Sequence, residues 1–247
     1  MAIMRSRFYK KGEMVFVSHL DLIRIFERAI RRADIPVAYT QGFNPHPIMA
    51  FATALGVGVA SEGEYIDIQL SDNMNSGLFM DKLNSVLPEG LKIIKSRVIA
   101  DKAKSLMSII CSSTYLVKLK MKELLNEADI NQRIENLLDK EVIMELRQKK
   151  HKRGRRRSSE SGTKQINIRP LIKNIEPVSL DKYEILLEMH LATGSRGNLK
   201  PETVVHKLCE LTNLSIEQYE TRVKRLDLFT NKDNEFLTPL DEDAWNI

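Results

Sequence analysis

Two hydrophobic periods alternate along the first hundred residues, and their order restricts the chain to a small set of folds. Strand-like composition or alternation of apolar and polar side chains occurs four times, at residues 3–12, 37–41, 64–71 and 91–100. Two segments with apolar residues at helical spacing lie between them, at residues 19–35 and 75–87. The order β-α-β-β-α-β predicts a ferredoxin-like unit, in which two helices cover one face of a four-stranded antiparallel sheet.

The second half of the chain repeats this order around an insertion. Strands are predicted at residues 113–121, 141–150, 182–193 and 219–230, and helices at residues 130–139 and 200–212. We therefore predict an α+β protein made of two tandem ferredoxin-like (βαββαβ) units with antiparallel sheets. The first unit would span residues 1–104 and the second residues 105–230, with a basic insertion at 149–164. An acidic tail at 231–247 is expected to be frayed.

The positive charge of the chain is concentrated in one segment. The 247 residues have a formal net charge of +5, and residues 149–157 (KKHKRGRRR) contain seven Lys or Arg and no acid, which leaves −2 for the rest. Such a segment is typically solvated and attracts phosphate without reading sequence. The cations predicted to bind nucleic acid here are Lys149, Lys150, Lys152, Arg153, Arg155, Arg156 and Arg157.

Composition argues against several classes of protein. The chain has no apolar run of transmembrane length, and its N-terminus lacks the apolar core of a signal peptide, so a soluble cytoplasmic protein is expected. Its two cysteines, Cys111 and Cys209, are too few for a disulfide framework, a zinc site or an iron–sulfur cluster. The common hydrolase, zinc-protease and dinucleotide motifs are absent. Neither a metal nor a cofactor is predicted.

The first predicted helix carries four arginines: Arg24, Arg28, Arg31 and Arg32. Three of them share one helix face because they stand at positions i, i+4 and i+7. Glu27 lies among them and is expected to pair with one or more. The arginines form either a solvated outer face or a phosphate-binding stripe whose geometry the helix holds.

Residues 39–48 (YTQGFNPHPI) interrupt the strand pattern. Pro45 and Pro47 each remove an amide donor, and together with Gly42 they prevent a regular ladder. The turn either guards a sheet edge or holds side chains toward a ligand, in which case the prolines reduce the ordering cost of binding. The residues that would then contact the ligand are Gln41, Gly42, Asn44 and His46.

A second glycine-containing segment, residues 193–202 (TGSRGNLKPE), lies between a predicted strand and a predicted helix. Free amides at the helix start and two cations make it a candidate anion site, although its spacing is not that of a P-loop. An ordinary strand-to-helix turn is the alternative. The residues that would bind the anion are Ser195, Arg196, Asn198 and Lys200.

Candidates for catalysis are few. Ser18 and Asp21 are explained as the N-cap of the first helix and its capping-box partner, which leaves His19 without a structural role. His19 or His46 would serve as the general acid or base of a nuclease, and Asp67 as the carboxylate of a pseudouridine synthase. A metal site formed by His19, Asp21 and His46 would require the turn to lie beside the helix start.

A resemblance to a known family is carried by residues 18–70 (SHLDLIRIFERAIRRADIPVAYTQGFNPHPIMAFATALGVGVASEGEYIDIQL). This stretch resembles the radical-SAM-linked family of uncharacterised bacterial proteins, as do the segments AKSLMSIICSSTY, INIRPLI and GSRGNLKPE. Family members occur beside a B12-binding radical SAM protein or fused to one. The resemblance implies a stand-alone member, with such a protein as its partner and a role in modifying a macromolecule. The basic insertion at 149–157 departs from the fused members.

The charge placement and the resemblance together favour an accessory RNA-binding subunit that works with a radical SAM enzyme in tRNA or rRNA modification. In this hypothesis the arginine helix and the turns at 39–48 and 193–202 line a cleft between the two units. Two alternatives stay open. One is a protein-interaction scaffold for the radical SAM partner that never meets nucleic acid. The other is an RNA enzyme of endoribonuclease or pseudouridine-synthase type, which rests on fold analogy alone.

Overall fold

The computed structural model describes residues 2–100, 103–148, 163–195 and 197–244. Within these ranges the chain is an α+β fold with five α-helices, a predominantly antiparallel sheet of nine strands and a separate two-stranded hairpin. No helix in the described part of the chain combines the length and apolar character needed to cross a bilayer.

Strands and helices alternate along the chain, and the second half contains more elements than predicted. The first half contains β1 (Ala2–Lys10), α1 (His19–Arg32), β2 (Met49–Phe51), β3 (Ala60–Leu70), α2 (Ser76–Asn84) and β4 (Leu91–Ala100). The second half contains α3 (Leu106–Ile109), β5 (Ser112–Lys120), α4 (Glu127–Leu138), β6 (Met144–Gln148), β7 (Thr163–Asn167), β8 (Ile172–Asp181), β9 (Glu184–Ala192), α5 (Pro201–Thr212), β10 (Arg222–Lys232) and β11 (Glu235–Leu237).

Both halves arrange their main strands in the same way. The sheet order is β4-β1-β3-β10-β5-β9-β8, with β2 paired to β3 and β11 to β10. We number the main strands of each half one to four in chain order. In the first half these are β1, β2, β3 and β4, and in the second half they are β5, β8, β9 and β10. Each half then has the sheet order 4-1-3-2. Every pairing within a half is antiparallel. The division near residue 105 stays a prediction.

The predicted strand at residues 37–41 is not formed. Val37 and Tyr39 make single bridges, to Leu70 and Pro47, and the second strand begins only at Met49. The Tyr39–Pro47 bridge closes the chain on itself, so this segment becomes one side of a turn instead of part of the sheet ladder.

The strand predicted at residues 141–150 forms, but outside the main sheet. β6 pairs with β7, and β8 takes the place beside β9. Ile172 and Ile175 of β8 are buried in the core, whereas Met144 and Leu146 of β6 are 42% and 62% exposed. The strand with the deeper apolar contacts therefore occupies the main sheet.

Each half has its own apolar core beneath its helices. Under α1 and α2 the core includes the fully buried rings of Phe8, Phe26 and Phe79. The ring centroids of Phe8 and Phe26 lie 5.1 Å apart in an edge-to-face arrangement, which aromatic pairs prefer. Under α4 and α5 a second core includes Val117 and Leu187, both buried. The helices of each half are therefore held by that half's own sheet.

The two halves meet where β3 runs parallel to β10. The backbone ladder between these strands consists of two residue pairs, Lys224 with Ala60 and Arg225 with Ser61. Gly63 lets the strands approach closely, because a Cβ at this position would lie 2.5 Å from the carbonyl oxygen of Leu226. Any other residue at position 63 would push the two halves apart.

Two guanidinium–carboxylate pairs, one buried and one partly exposed, supplement this short ladder. Arg225 Nη1 lies 2.9 and 3.2 Å from the two carboxylate oxygens of Glu64, and both side chains are almost fully buried. Arg7 of β1 pairs with Asp227 of β10 at 2.8 Å. The phenol of Tyr65 donates to the same Asp227 at 2.7 Å. Both ion pairs, and the Tyr65–Asp227 hydrogen bond, cross between the halves.

The C-terminal segment is folded through residue 244, so the expected fraying is wrong for this part of the tail. β11 pairs with β10, and the side chains of Leu240 and Ala244 are buried. Arg5 Nη1 donates to the carbonyl of Pro239 at 3.3 Å. These apolar and polar contacts outweigh the acidic composition that suggested a solvated tail.

The Glu64→Gln variant tests the contribution of the buried pair, because it leaves Arg225 without its counter-charge. We expect the free energy of unfolding, measured in urea, to fall by about 3–5 kcal/mol. The matched control is Glu62→Gln on the same strand, which removes an exposed ion pair to Lys224 of 2.8 Å. The control is expected to cost less than about 1 kcal/mol. Equal losses in the two variants would contradict the importance of the buried pair.

Candidate nucleic-acid interface

Three arginines of α1 line one groove. Arg28, Arg31 and Arg32 border a hollow of about 680 Å³ together with Ile25 and Pro88. All three arginines are exposed, and none forms an ion pair with a residue of the described ranges. Arg32 Nη2 donates to the carbonyl of Val86 at 2.8 Å, which fixes its position. The groove is therefore cationic and unneutralised.

Arg24 has a different environment from the other arginines of α1. Its Nη1 lies 3.0 Å from Asp21 Oδ1 in an exposed ion pair. The Ser18 hydroxyl donates to Asp21 at 2.7 Å and lowers the pKa of this carboxyl, and Arg24 lowers it further. Ser18 Oγ also accepts from the Asp21 amide, which confirms the predicted N-cap. Arg24 is thus engaged at the helix start and does not line the groove.

The turn at residues 39–47 is closed by two hydrogen bonds across its neck. The Thr40 amide donates to the His46 carbonyl at 2.9 Å, and the His46 amide donates to Thr40 Oγ1 at 3.0 Å. Gly42 has φ +127°, a conformation that other residues rarely adopt. Gln41 and Asn44 are exposed at the tip. The exposed tip therefore lies on a loop whose neck is held closed by hydrogen bonds.

The turn lies against the arginine helix. His46 Nδ1 donates to Glu27 Oε1 at 3.2 Å, and the Glu27 side chain is 16% exposed. Since Glu27 shares α1 with Arg28 and Arg31, one helix carries both the groove and the anchor of the turn. The structure thus brings together two of the three predicted binding segments.

Phe43, at the tip of this turn, is a residue that the sequence reasoning missed. Its relative exposure is 106%, the largest among the exposed apolar side chains of the described residues. Tyr39 at the base of the turn is 43% exposed. An aromatic side chain held in solvent, on a turn that is hydrogen-bonded to the arginine helix, is a platform on which nucleobases stack. The signal in the sequence was an aromatic residue between Gly42 and Asn44 in a proline-containing turn.

The residues considered for catalysis are engaged elsewhere or lie apart. The ring of His19 packs edge-to-face on Phe51 with centroids 5.4 Å apart. Asp67 accepts from Arg5 at 2.8 and 2.9 Å; burial raises the pKa of this carboxyl and the Arg5 hydrogen bonds oppose the rise. Within the described ranges no three His, Cys, Asp or Glu side chains are grouped to hold a metal, so the His19–Asp21–His46 site is not formed.

The segment at 193–202 lies at a different place. Ser195, Asn198 and Lys200 line a cavity of about 580 Å³ with the loop at residues 52–59 and with Arg225. No described residue of α1 or of the 39–47 turn lines this cavity. The expected single cleft is therefore two separate sites.

Two parts of the predicted binding set lie outside the described residues. These are Arg196 and the basic segment at 149–157, which follows β6 and precedes β7 along the chain.

Comparison with known proteins gives one family and several distant structures. The model of the family described as "Uncharacterized protein conserved in bacteria (DUF2344)" matches residues 4–201. No curated protein matches the chain. A chain of a Cbf5-Nop10-Gar1 complex is similar at 6% identity and a TM-score of 0.49, over 93% of this chain and 50% of that one. A chain of an archaeal box H/ACA sRNP Nop10-Cbf5 complex is similar at 7% identity and a TM-score of 0.46, over 90% and 46%. The chain thus spans about half the length of these structures, and a likeness at this level says nothing about what it binds.

The Thr40→Val variant tests whether the neck hydrogen bonds order the turn. Removal of the hydroxyl leaves the His46 amide without its acceptor, at a cost of about 1 kcal/mol. Hydrogen exchange at that amide is expected to become about fivefold faster. The control is the Ala38 amide, which donates to the Gln69 carbonyl outside the turn and should exchange at an unchanged rate. An unchanged rate at His46 would contradict an ordered neck.

Proposed function

The chain belongs to the DUF2344 family of proteins conserved in bacteria, and we propose that it binds RNA as an accessory subunit. The observation that carries this proposal is the position of Phe43. Its ring is fully exposed on a closed turn, and that turn is hydrogen-bonded to the helix that carries the unpaired arginines.

Single-stranded RNA is the polyanion that these two features fit together. Guanidinium groups bind phosphate bidentately, and exposed aromatic rings stack on bases that are not paired in a duplex. A base stacked on an aromatic side chain contributes about 1–3 kcal/mol and does so without regard to sequence. Because Pro45 and Pro47 stiffen the turn, little ordering is required when Phe43 meets a base.

The finer architecture that we propose is a tandem pair of ferredoxin-like units. The identical 4-1-3-2 strand order of the two halves supports this view. The basic segment at 149–157 would add cations to the RNA contact.

The proposed partner is a B12-binding radical SAM protein in the cytoplasm. This part rests on the sequence resemblance described above. The accessory chain would hold tRNA or rRNA while the partner modifies it.

The interface is tested with a short single-stranded RNA and fluorescence anisotropy over a range of salt concentrations. In the triple variant Arg28→Gln/Arg31→Gln/Arg32→Gln, the slope of log K against log salt should fall by about 2, at about 0.7 per lost phosphate contact. Phe43→Ala should weaken binding by about 1–3 kcal/mol with an unchanged slope, because stacking releases no counterions.

Matched controls separate these effects from net charge and from exposed aromatic area. The charge control removes three exposed lysines of the second half, Lys140, Lys173 and Lys182, by Lys→Gln changes. The aromatic control is Tyr219→Ala, whose ring is 96% exposed. If either control weakens RNA binding as much as its test variant, the site is not at α1. If the protein binds the radical SAM partner but no RNA, the scaffold function replaces this proposal.

A further inference from the structure

The cavity lined by both halves of the chain has the volume and the walls of a small-molecule site. Its volume is about 580 Å³, within the range of ligand pockets. Apolar side chains line it from the loop at residues 52–59, from α3 and from β10, and they include Leu55, Val59, Met107 and Val223. Walls of this kind are typical of sites for compact organic ligands, which bury most of their surface when they bind.

Arg225, which also lines the cavity, sets the roles of two hydroxyl groups. Its Nη1 donates to Thr53 Oγ1 at 3.1 Å, and its Nη2 donates to the Tyr115 hydroxyl at 3.2 Å. The Glu64 carboxylate holds the same guanidinium in place at 2.9 and 3.2 Å. Because a guanidinium can only donate, both hydroxyl oxygens act as acceptors toward Arg225 and keep their own hydrogens. These hydrogens therefore point away from Arg225.

The two hydroxyl hydrogens lack an acceptor in the part of the chain that the structure describes. Thr53 and Tyr115 both line the cavity, and within the described ranges the hydroxyl of each makes its one hydrogen bond as an acceptor from Arg225. Tyr115 is 4% exposed, so bulk water does not replace the missing acceptor. Buried polar groups without partners are rare in proteins, and a donor in a cavity lining indicates an acceptor that enters the cavity.

The charges at the cavity favour a ligand without net charge. The charged side chains of its described lining are Lys200, Glu202 and Arg225, and the ion pair with Glu64 neutralises Arg225. Lys200 and Glu202 stand two positions apart and carry opposite charges. An anion would meet the Glu202 carboxylate, and a cation would meet the Lys200 ammonium. Neither sign of charge is therefore selected.

The segment at 193–202 adds groups that accept hydrogen bonds. Ser195 and Asn198 are exposed residues of the cavity lining. Their side-chain oxygens can accept from an N–H group of a ligand. The cavity thus offers donors to a carbonyl oxygen and acceptors to an N–H group. An amide or a lactam carries both groups within one small uncharged molecule.

We propose that this cavity binds a small uncharged amide or lactam. The carbonyl oxygen of the ligand accepts from the hydroxyls of Thr53 and Tyr115, its N–H group donates to the segment at 193–202, and its apolar part packs on Leu55 and Val59. None of these residues belongs to α1 or to the 39–47 turn. The site therefore goes beyond the proposed RNA binding and does not depend on it.

Four probes of nearly equal size test the class of ligand: benzamide, thiobenzamide, benzoate and benzylamine. Each is titrated into the full chain, and binding is followed by the chemical shifts of the Thr53 and Val57 amides. Benzamide should bind with a Kd of about 1 mM, as expected for a ligand of this size. Thiobenzamide, whose sulfur is a poor acceptor, should bind about tenfold more weakly, and so should the two charged probes. Absence of benzamide binding, or benzoate or benzylamine binding as tight as that of benzamide, overturns the proposal.

Two variants remove the hydroxyl donors one at a time. Thr53→Val and Tyr115→Phe each keep the shape of the side chain and should weaken benzamide binding about fivefold to tenfold. The matched control is Thr53→Ser, which keeps the hydroxyl and should bind benzamide as the wild type does. If Thr53→Val binds benzamide as tightly as Thr53→Ser does, the hydroxyls serve ordered water and the proposal is wrong.

Filling the cavity gives an independent test that leaves the hydrogen bonds of Arg225 intact. Ala54 is exposed on the lining, and Ala54→Trp should abolish benzamide binding with an unchanged melting temperature. The control is Ala128→Trp at an exposed position of α4, which should bind as the wild type does. Benzamide binding that survives Ala54→Trp would place the probe elsewhere and overturn the proposal.

Discussion

The burial of the Arg225–Glu64 ion pair between β10 and β3 is the constraint on which the rest of this structure depends. The backbone ladder that joins the halves has two residue pairs, so side chains must supply the remaining contact. Arg225 pairs with Glu64 in buried surroundings, where an unpaired charge would cost several kcal/mol, on the order of 3–5. Arg7, which is partly exposed, pairs with Asp227 across the same junction. The two halves are therefore held in one orientation, and the cavity lined by Arg225 has a fixed shape.

The α1 interface likewise depends on a specific side-chain contact. A hydrogen bond from His46 to Glu27 connects a closed turn to a helix that its own core holds in place. Because the turn is closed by its own hydrogen bonds and is bonded to α1, its neck is ordered before any ligand arrives. Binding sites of this kind lose little conformational entropy when they are occupied.

Periodicity in the sequence predicted the helices and strands whose side chains pack locally. It missed the elements whose position depends on contacts with residues distant in the chain. α1, its Ser18 cap and the long strands β3 and β9 follow from spacing alone. The strand at 37–41 fails because Tyr39 bridges to Pro47, and β8 replaces β6 in the sheet because its isoleucines reach a core assembled from remote segments. In the candidate site the arginines and the turn were visible as residue types. The full exposure of Phe43 and the position of Arg225 beside the 193–202 turn depend on tertiary contacts that no local pattern encodes.

The central position of β10 has a consequence for how this chain is made. β10 spans residues 222–232 and lies between β3 and β5, so the strand that completes the middle of the sheet leaves the ribosome after both of its neighbours. Until then a nascent chain exposes an unpaired edge on each half, a condition that favours mispairing and aggregation. β10 carries the charged residues Arg222, Lys224 and Arg225. Their charges favour hydration of this strand before it pairs with β3 and β5.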